Sequence, residues 1–157
     1  MKTLVLYYSR GGKTERVAND IASRLGADIE KIIDKKSRSG LFGFLFGGRD
    51  AMKERETEIG EPIKNAIDYD LVIFGTPVWA SNITPAIRTY INKTKNNLKN
   101  TAFFITSGNT NSETIVRIME KLVEKKMKTH VGFSANELRN KELYNKKITT
   151  FIESIKS

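Results

Sequence analysis

Short apolar segments alternate along this chain with segments whose apolar residues recur at helical spacing. Five of the apolar segments are typical of strands covered on both faces: residues 2–8, 27–33, 70–75, 101–106 and 128–133. Strands that alternate with helices predict an α/β fold whose parallel sheet carries helices on both faces. Because crossovers between parallel strands are right-handed, we expect a doubly wound, three-layer α/β/α architecture with strand order 2-1-3-4-5.

The composition is that of a globular protein and argues against several kinds of site. The 157 residues fit a single domain, 39% of them are apolar, and no apolar run approaches the roughly 20 residues that span a bilayer. The chain has no cysteine and one histidine, so we expect no disulfide, no metal site and no serine–histidine triad. The first residues do not resemble a signal peptide, and we therefore expect a cytoplasmic protein.

Basic residues outnumber acidic ones by 27 to 18, which gives a formal net charge of +9. Such a charge favours anionic partners, including phosphates, nucleic acid and an anionic membrane surface. The basic residues are spread over the whole chain, however, and this distribution is also typical of a solvated lysine-rich surface. Because the sequence has no recognition-helix signature and no interleaved aromatic platform, we expect no specific nucleic-acid binding.

Residues 34–69, between the second and third predicted strands, form a connection far longer than is usual in this fold class. Within it, residues 40–48 are rich in glycine and aromatic residues and are flanked by positive charge. They fit four interpretations: a lid over a ligand, a contact with a second subunit, a contact with an anionic membrane, or a loop folded back on the core. The second part, from Asp50 to Ile67, is expected to hold a helix broken near Gly60 and Pro62.

The predicted strand order places a ligand crevice beyond the carboxyl ends of the first and third strands. Loops 9–14, 76–83 and 107–111 form its rim, and all three are rich in hydroxyl, amide and glycine groups. Loop 9–14 joins a strand to the N-terminus of a helix, where free N–H groups and the helix dipole favour an anion, and we expect a phosphate there. The loop is not the P-loop of a nucleotide triphosphatase, because Tyr7 stands where that motif needs glycine.

Three segments resemble the flavodoxins and flavodoxin-like FMN proteins: YYSRGGKT at 7–14, VIFGTPVWASNITPAIRTYI at 72–91 and FFITSGNT at 103–110. The order of elements resembles that family over essentially residues 1–157. The resemblance implies that the first segment holds the FMN phosphate, that the second holds the isoalloxazine ring, with the indole stacked on it, and that the third contacts the pyrimidine side. The implied FMN-binding residues are Ser9, Arg10, Gly11, Gly12, Lys13, Thr14, Thr76, Pro77, Val78, Trp79, Ala80, Ser107, Gly108 and Asn109.

The chain departs from the usual pattern of that family at three points. Gly11 stands where threonine is usual, loop 107–111 lacks an aromatic residue, and the net charge is positive where electron-carrier flavodoxins are typically acidic. Without an aromatic residue in that loop, the second flavin face is either covered by residues 40–48 or open to a substrate. For Trp79, packing in the core is the alternative to stacking on a ring.

The resemblance implies an FMN-binding redox protein, most simply an electron-transfer flavoprotein that works with redox partner proteins or a small-molecule electron acceptor. The flavin would do the chemistry, and no catalytic side chain is expected. Two alternatives stay open: an NAD(P)H-dependent FMN reductase of quinones or small molecules, and a non-enzymatic phosphate-ligand-binding module on the same fold. We expect a monomer or a homodimer.

Overall fold

The computed structural model describes residues 1–108 and 112–157. Its strands are β1 (Thr3–Tyr7), β2 (Asp28–Lys31), β3 (Leu71–Trp79), β4 (Asn82–Ile83), β5 (Asn100–Ser107) and β6 (His130–Ser134). Its helices are α1 (Lys13–Leu25), α2 (Gly40–Met52), α3 (Pro85–Thr94), α4 (Glu113–Val123), α5 (Ala135–Arg139) and α6 (Lys141–Lys156). Short 3-10 turns lie at Ala66–Asp68 and Lys95–Asn97.

Five parallel strands form the sheet in the order β2-β1-β3-β5-β6, which confirms the predicted doubly wound order. The sequence does not predict β4, a two-residue strand that pairs antiparallel with the end of β3. Because β1 lies between β2 and β3, the chain winds outward from β1 in both directions. The strand order therefore reverses between β1 and β3, and a crevice is expected beyond their carboxyl ends.

Helices cover both faces of the sheet and divide the core into two apolar clusters. On one face, α1 and α6 bury residues such as Ile21 and Ile148 against the sheet. On the other face, α3 and α4 bury residues such as Tyr90 and Met119. This is the predicted three-layer α/β/α arrangement, and it follows from strands that are apolar on both faces.

The long connection between β2 and β3 contains α2, which lies beside α3 and the end of β3. The sequence predicts a helix only after residue 50, and this prediction was wrong, because α2 begins at Gly40 and ends at Met52. The interpretation of residues 40–48 as a loop folded back on the core was also wrong. Their large apolar side chains are 48–73% exposed: Leu41, Phe42, Phe44, Leu45 and Phe46.

The chain after α2 runs back antiparallel to the end of β2 instead of forming the predicted broken helix. Lys35 N–H donates to the Glu58 carbonyl at 2.9 Å, and Gly60 N–H donates to the Ile33 carbonyl at 2.8 Å. These long-range bonds satisfy the backbone of a stretch that Pro62 and Gly60 already disfavour as helix.

A buried ion-pair cluster fixes α2 against the loop that precedes it. Arg38, which is 4% exposed, donates from Nη1 to Asp50 Oδ2 at 2.6 Å and from Nε to Asp34 Oδ2 at 3.0 Å. Lys36 Nζ donates to the same Asp50 oxygen at 3.0 Å. Asp50 lies near the end of α2, so the cluster joins that end to the loop before its first residue.

Acid is expected to release α2 through this cluster. Burial raises the pKa of Asp50, but hydrogen bonds from Arg38 and Lys36 outweigh burial and lower the pKa from its ordinary 3.8 to about 2. The ionised form is therefore the form that folding favours, and its contribution is complete above pH 3.8 and is lost as the pH falls towards 2. Fluorescence of Trp79, the chain's only tryptophan, should change in this window, because the indole packs on α2.

Asp50→Asn is the control for the acid transition, because the amide does not titrate. We expect this variant to lose the fluorescence change between pH 3.8 and 2. An unaltered transition in the variant would show that another group carries the acid sensitivity.

Candidate functional site

A cavity of about 270 Å³ opens at the carboxyl ends of β1, β3 and β5. It lies at the switch point between β1 and β3, where open α/β sheets bind their ligands. Its described lining is formed by Ser9, Arg10, Gly11, Lys13, Thr14, Phe44, Pro77, Val78, Trp79, Thr106, Ser107, Gly108 and Ala135.

The loop between β1 and α1 makes a tight glycine turn at this cavity. Gly12 N–H donates to Ser9 Oγ at 3.1 Å. The φ of Gly12 is +85°, a conformation that residues other than glycine rarely adopt. Gly12 is also the N-cap of α1, and among residues 1–108 and 112–157 no side chain caps that end of the helix. A Cβ added at Gly11 or at Gly12 would meet no atom of the described residues within 4 Å. The space beside the loop is therefore open to a ligand at the positive end of the helix dipole.

The charged side chains of the described lining, Arg10 and Lys13, are both basic. The hydroxyls of Thr14 and Thr106 are hydrogen-bonded at 2.8 Å, which ties the first turn of α1 to the end of β5. Hydroxyls, glycine N–H groups, a helix N-terminus and two cations together form an environment that suits a phosphate monoester.

Trp79 forms an aromatic wall of the cavity at the end of β3. The Tyr8 ring meets it edge-on, with ring centroids 5.6 Å apart and planes at 88°. Gly47 of α2 approaches so closely that a Cβ there would lie 2.9 Å from Trp79 Cζ3. The Arg10 guanidinium lies 5.8 Å from the Trp79 ring centroid and 5.2 Å from that of Phe44. The indole is thus half-buried and held in place by α2 and Tyr8.

The structure brings ten of the fourteen predicted binding residues to this cavity. Gly12 shapes the turn next to it. Thr76 is fully buried, and its hydroxyl bonds Thr84 at 3.1 Å, so its side chain lies behind the lining. Ala80 lies in a neighbouring groove, with a positive φ of 47°. Asn109 falls outside the described residues.

Three lining residues were missed by sequence reasoning: Phe44, Thr106 and Ala135. The aromatic character of residues 40–48 was a signal for Phe44, because a lid was one interpretation of that segment. Thr106 ends a predicted strand at the correct edge of the sheet, so its position was a second signal. Ala135 begins α5, and nothing in its local sequence indicates a role.

A second, more apolar groove of about 450 Å³ lies between α2 and the turn after β3. Phe44, Val78 and Trp79 line both spaces and so stand between the groove and the first cavity. The other residues of the groove are Leu45, Gly48, Arg49, Met52 and Ala80.

A family model described as Flavodoxin matches residues 2–155. Among solved structures, the chain is similar to a flavoprotein from Lactobacillus acidophilus in complex with FMN, at 23% identity over 88% of this chain and 97% of that one, with a TM-score of 0.72. It is also similar to oxidised flavodoxin 2 of Bacillus cereus, at 18% identity over 98% and 97% of the two chains, with a TM-score of 0.58. These likenesses show a common fold, and the family match extends over nearly the whole chain. This protein is therefore a member of the flavodoxin family.

Proposed function

We propose that this chain binds FMN in the cavity between β1 and β3 and serves as an electron carrier. The observation that carries the proposal is the pairing, within one cavity, of a cationic glycine loop at the start of α1 with the indole of Trp79. Family membership supports FMN as the cofactor, and so does the FMN complex of the Lactobacillus relative.

The residues of the cavity divide between holding the cofactor and tuning it. Ser9, Lys13 and the N-terminus of α1 anchor the phosphate, and Trp79 offers an aromatic surface to the flat ring. When bound, FMN supplies one- and two-electron redox chemistry. Arg10 and Lys13 favour the negative charge that reduction adds, because opposite charges at short range stabilise each other.

The character of the lining favours a carrier over a quinone reductase. Reduction of a quinone to a quinol consumes two protons as well as two electrons. Among the described lining residues there is no carboxylic acid, imidazole or thiol, and the ammonium of Lys13 is assigned to the phosphate. Transfer of single electrons to a partner protein needs no such proton-donating side chain.

A two-electron reductase is the second candidate, and the apolar groove beside Trp79 is the observation that favours it. Phe44, Leu45 and Met52 line this space next to the presumed ring site, and a small aromatic acceptor suits such a lining. Steady-state oxidation of NADH or NADPH with a quinone separates the candidates. A carrier should show little turnover unless a reductase is added, whereas a reductase turns over alone.

The binding proposal is tested by calorimetry with FMN and with riboflavin, which lacks the phosphate. We expect FMN to bind far more tightly, because the α1 loop contacts only the phosphorylated molecule at that end. Equal affinities would show that the loop is not a phosphate site. No heat with either ligand, together with purified protein that loses its yellow colour on desalting, would overturn FMN binding itself.

Trp79→Ala is expected to weaken FMN binding by about 1–3 kcal/mol, or roughly 5- to 150-fold, on the scale of base–aromatic stacking. Flavin fluorescence quenching during titration of the apoprotein measures the change. Trp79→Phe keeps an aromatic face and should retain most of the affinity. Wild-type affinity in the alanine variant would mean that the indole packs against the protein without contacting the ring.

A further inference from the structure

Helix α2 is oriented with its small residues towards the protein and its large apolar residues towards solvent. Successive residues of an α-helix are about 100° apart, so residues 43, 47, 50 and 51 share one face. That face is buried and carries glycine, alanine and the paired Asp50. The rest of the helix surface carries six large apolar side chains that are 48–73% exposed: Leu41, Phe42, Phe44, Leu45, Phe46 and Met52.

This orientation is fixed by close contacts. A Cβ at Gly43 would lie 2.3 Å from the carbonyl carbon of Arg38, and a Cβ at Gly47 would lie 2.9 Å from the Trp79 ring. The buried pair between Asp50 and Arg38 holds the same face down. Turning the aromatic side chains inward would require these contacts to break, so the apolar face stays exposed. A continuous exposed apolar surface of this kind marks an interaction site.

Positive charge surrounds the apolar face. Residues 35–55 contain six basic and two acidic residues, and the pair Arg38–Asp50 is buried, which leaves five basic residues and Glu54 around the apolar face. Arg49 and Lys53, on the last turn of α2 and just after it, are exposed and form no ion pair within the described part of the chain. Two copies of this chain would bring these positive rims together, which disfavours a symmetric dimer through this face. A negatively charged apolar partner is complementary to it.

We propose that α2 docks this protein on an anionic phospholipid bilayer. The exposed phenylalanine and leucine side chains other than Phe44 enter the boundary between headgroups and acyl chains. Arg49 and Lys53 contact lipid phosphates. At 13 residues α2 is about 20 Å long, which is shorter than the roughly 30 Å hydrocarbon layer. Across the described ranges no helix has the length and apolarity to cross a membrane. The helix therefore lies in the plane of the membrane surface. Its inner face packs against the rest of the protein, whereas an isolated amphipathic helix would present a polar face to water.

Sedimentation with vesicles tests this proposal on the protein as purified. Vesicles of phosphatidylcholine with phosphatidylserine should pull down the wild type, and phosphatidylcholine alone should pull down little. The double substitution Leu41→Ser with Phe42→Ser alters the two most exposed residues of the face. Neither of these residues lines the cofactor cavity. We expect it to reduce the affinity for anionic vesicles at least tenfold.

Matched controls distinguish binding through this face from unspecific hydrophobic or electrostatic attraction to vesicles. Ile63→Ser removes an apolar side chain that is 94% exposed elsewhere, and it should leave vesicle binding unchanged. Arg49→Glu with Lys53→Glu should abolish binding, whereas Lys126→Glu with Lys146→Glu makes the same change in net charge at distant exposed sites and should preserve most of it. Equal losses from the two charge-reversal pairs would overturn the proposal in favour of unspecific attraction.

Two further outcomes assign the face to another occupant and overturn the bilayer proposal. If the wild type is a dimer and the Leu41→Ser, Phe42→Ser double variant is a monomer, the occupant of the face is a second copy of the chain. Lower FMN affinity in that variant with unchanged vesicle binding would identify a lid. Because vesicle binding is read by sedimentation, its failure in protein that retains flavin absorbance leaves the proposed function intact.

Discussion

Gly11→Asp is expected to lower FMN affinity by roughly 100-fold or more, because a like-charge contact costs several kcal/mol. A Cβ at this position meets no atom within 4 Å in the part of the chain that the structure describes, so the added side chain enters the space beside the α1 loop. Gly11 also has no positive φ, and the backbone accepts the substitution. The carboxylate would then occupy the space that we assign to the phosphate.

Calorimetric titration of the apoprotein with FMN measures this effect. Gly11→Ala is the matched control, because it adds the Cβ without charge and should change the affinity only slightly. Thermal unfolding of the two apoproteins should give similar midpoints, since neither substitution touches the core. If Gly11→Asp binds FMN as the wild type does, the phosphate does not lie at this loop.

Asp50→Ala is expected to destabilise the α2 region by about 3–5 kcal/mol, the usual effect of removing one partner of a buried ion pair. The substitution leaves Arg38 buried with Asp34 as its remaining carboxylate partner among the contacts described, and it also removes the Lys36 contact. Because the cluster joins the C-terminal end of α2 to the loop before the helix, we expect the helix to open locally before the sheet unfolds. Amide hydrogen exchange in residues 40–52 and urea unfolding followed at Trp79 measure this loss.

Glu58→Ala is the control in the same segment of the chain. Its partner is Lys35, and both side chains are more than half exposed, so the loss is expected to stay below about 1 kcal/mol. Comparable losses in the two variants would show that the buried cluster contributes no more than a surface pair. In that case the glycine contacts of α2, and not its ion pairs, would hold the helix in place.

The sheet could be predicted because its signals are local in the sequence. Strands such as β1 and β3 are apolar at nearly every position, and helices such as α1 show helical spacing and end at Gly26, a left-handed C-cap. Thr84 and Pro85 likewise are the N-cap and the first residue of α3, positions that these residue types favour. Each of these features depends on residues that are neighbours in the chain.

The loops of the site were predictable for the same reason, but their complete arrangement was not. Ser9 to Thr14 follows a strand directly, so strand order alone brings this loop to the cavity. Thr76 directly follows the predicted strand 70–75, yet in the structure it lies within β3 and its side chain turns inward to Thr84. Which side of the backbone faces the cavity depends on packing that the local sequence does not reveal.

The order of the strands, the edge of the sheet that carries the site and the cationic glycine loop were predicted from the sequence, because periodicity and turn residues encode them locally. The start of α2, the choice of its buried face and the approach of Phe44 to the cavity beside Trp79 depend on three-dimensional packing. The four glycines and exposed aromatic residues of α2 resemble neither a typical helix nor a core segment. Its position depends on the Arg38–Asp50 pair and on the contact of Gly47 with Trp79, which join residues distant in the chain.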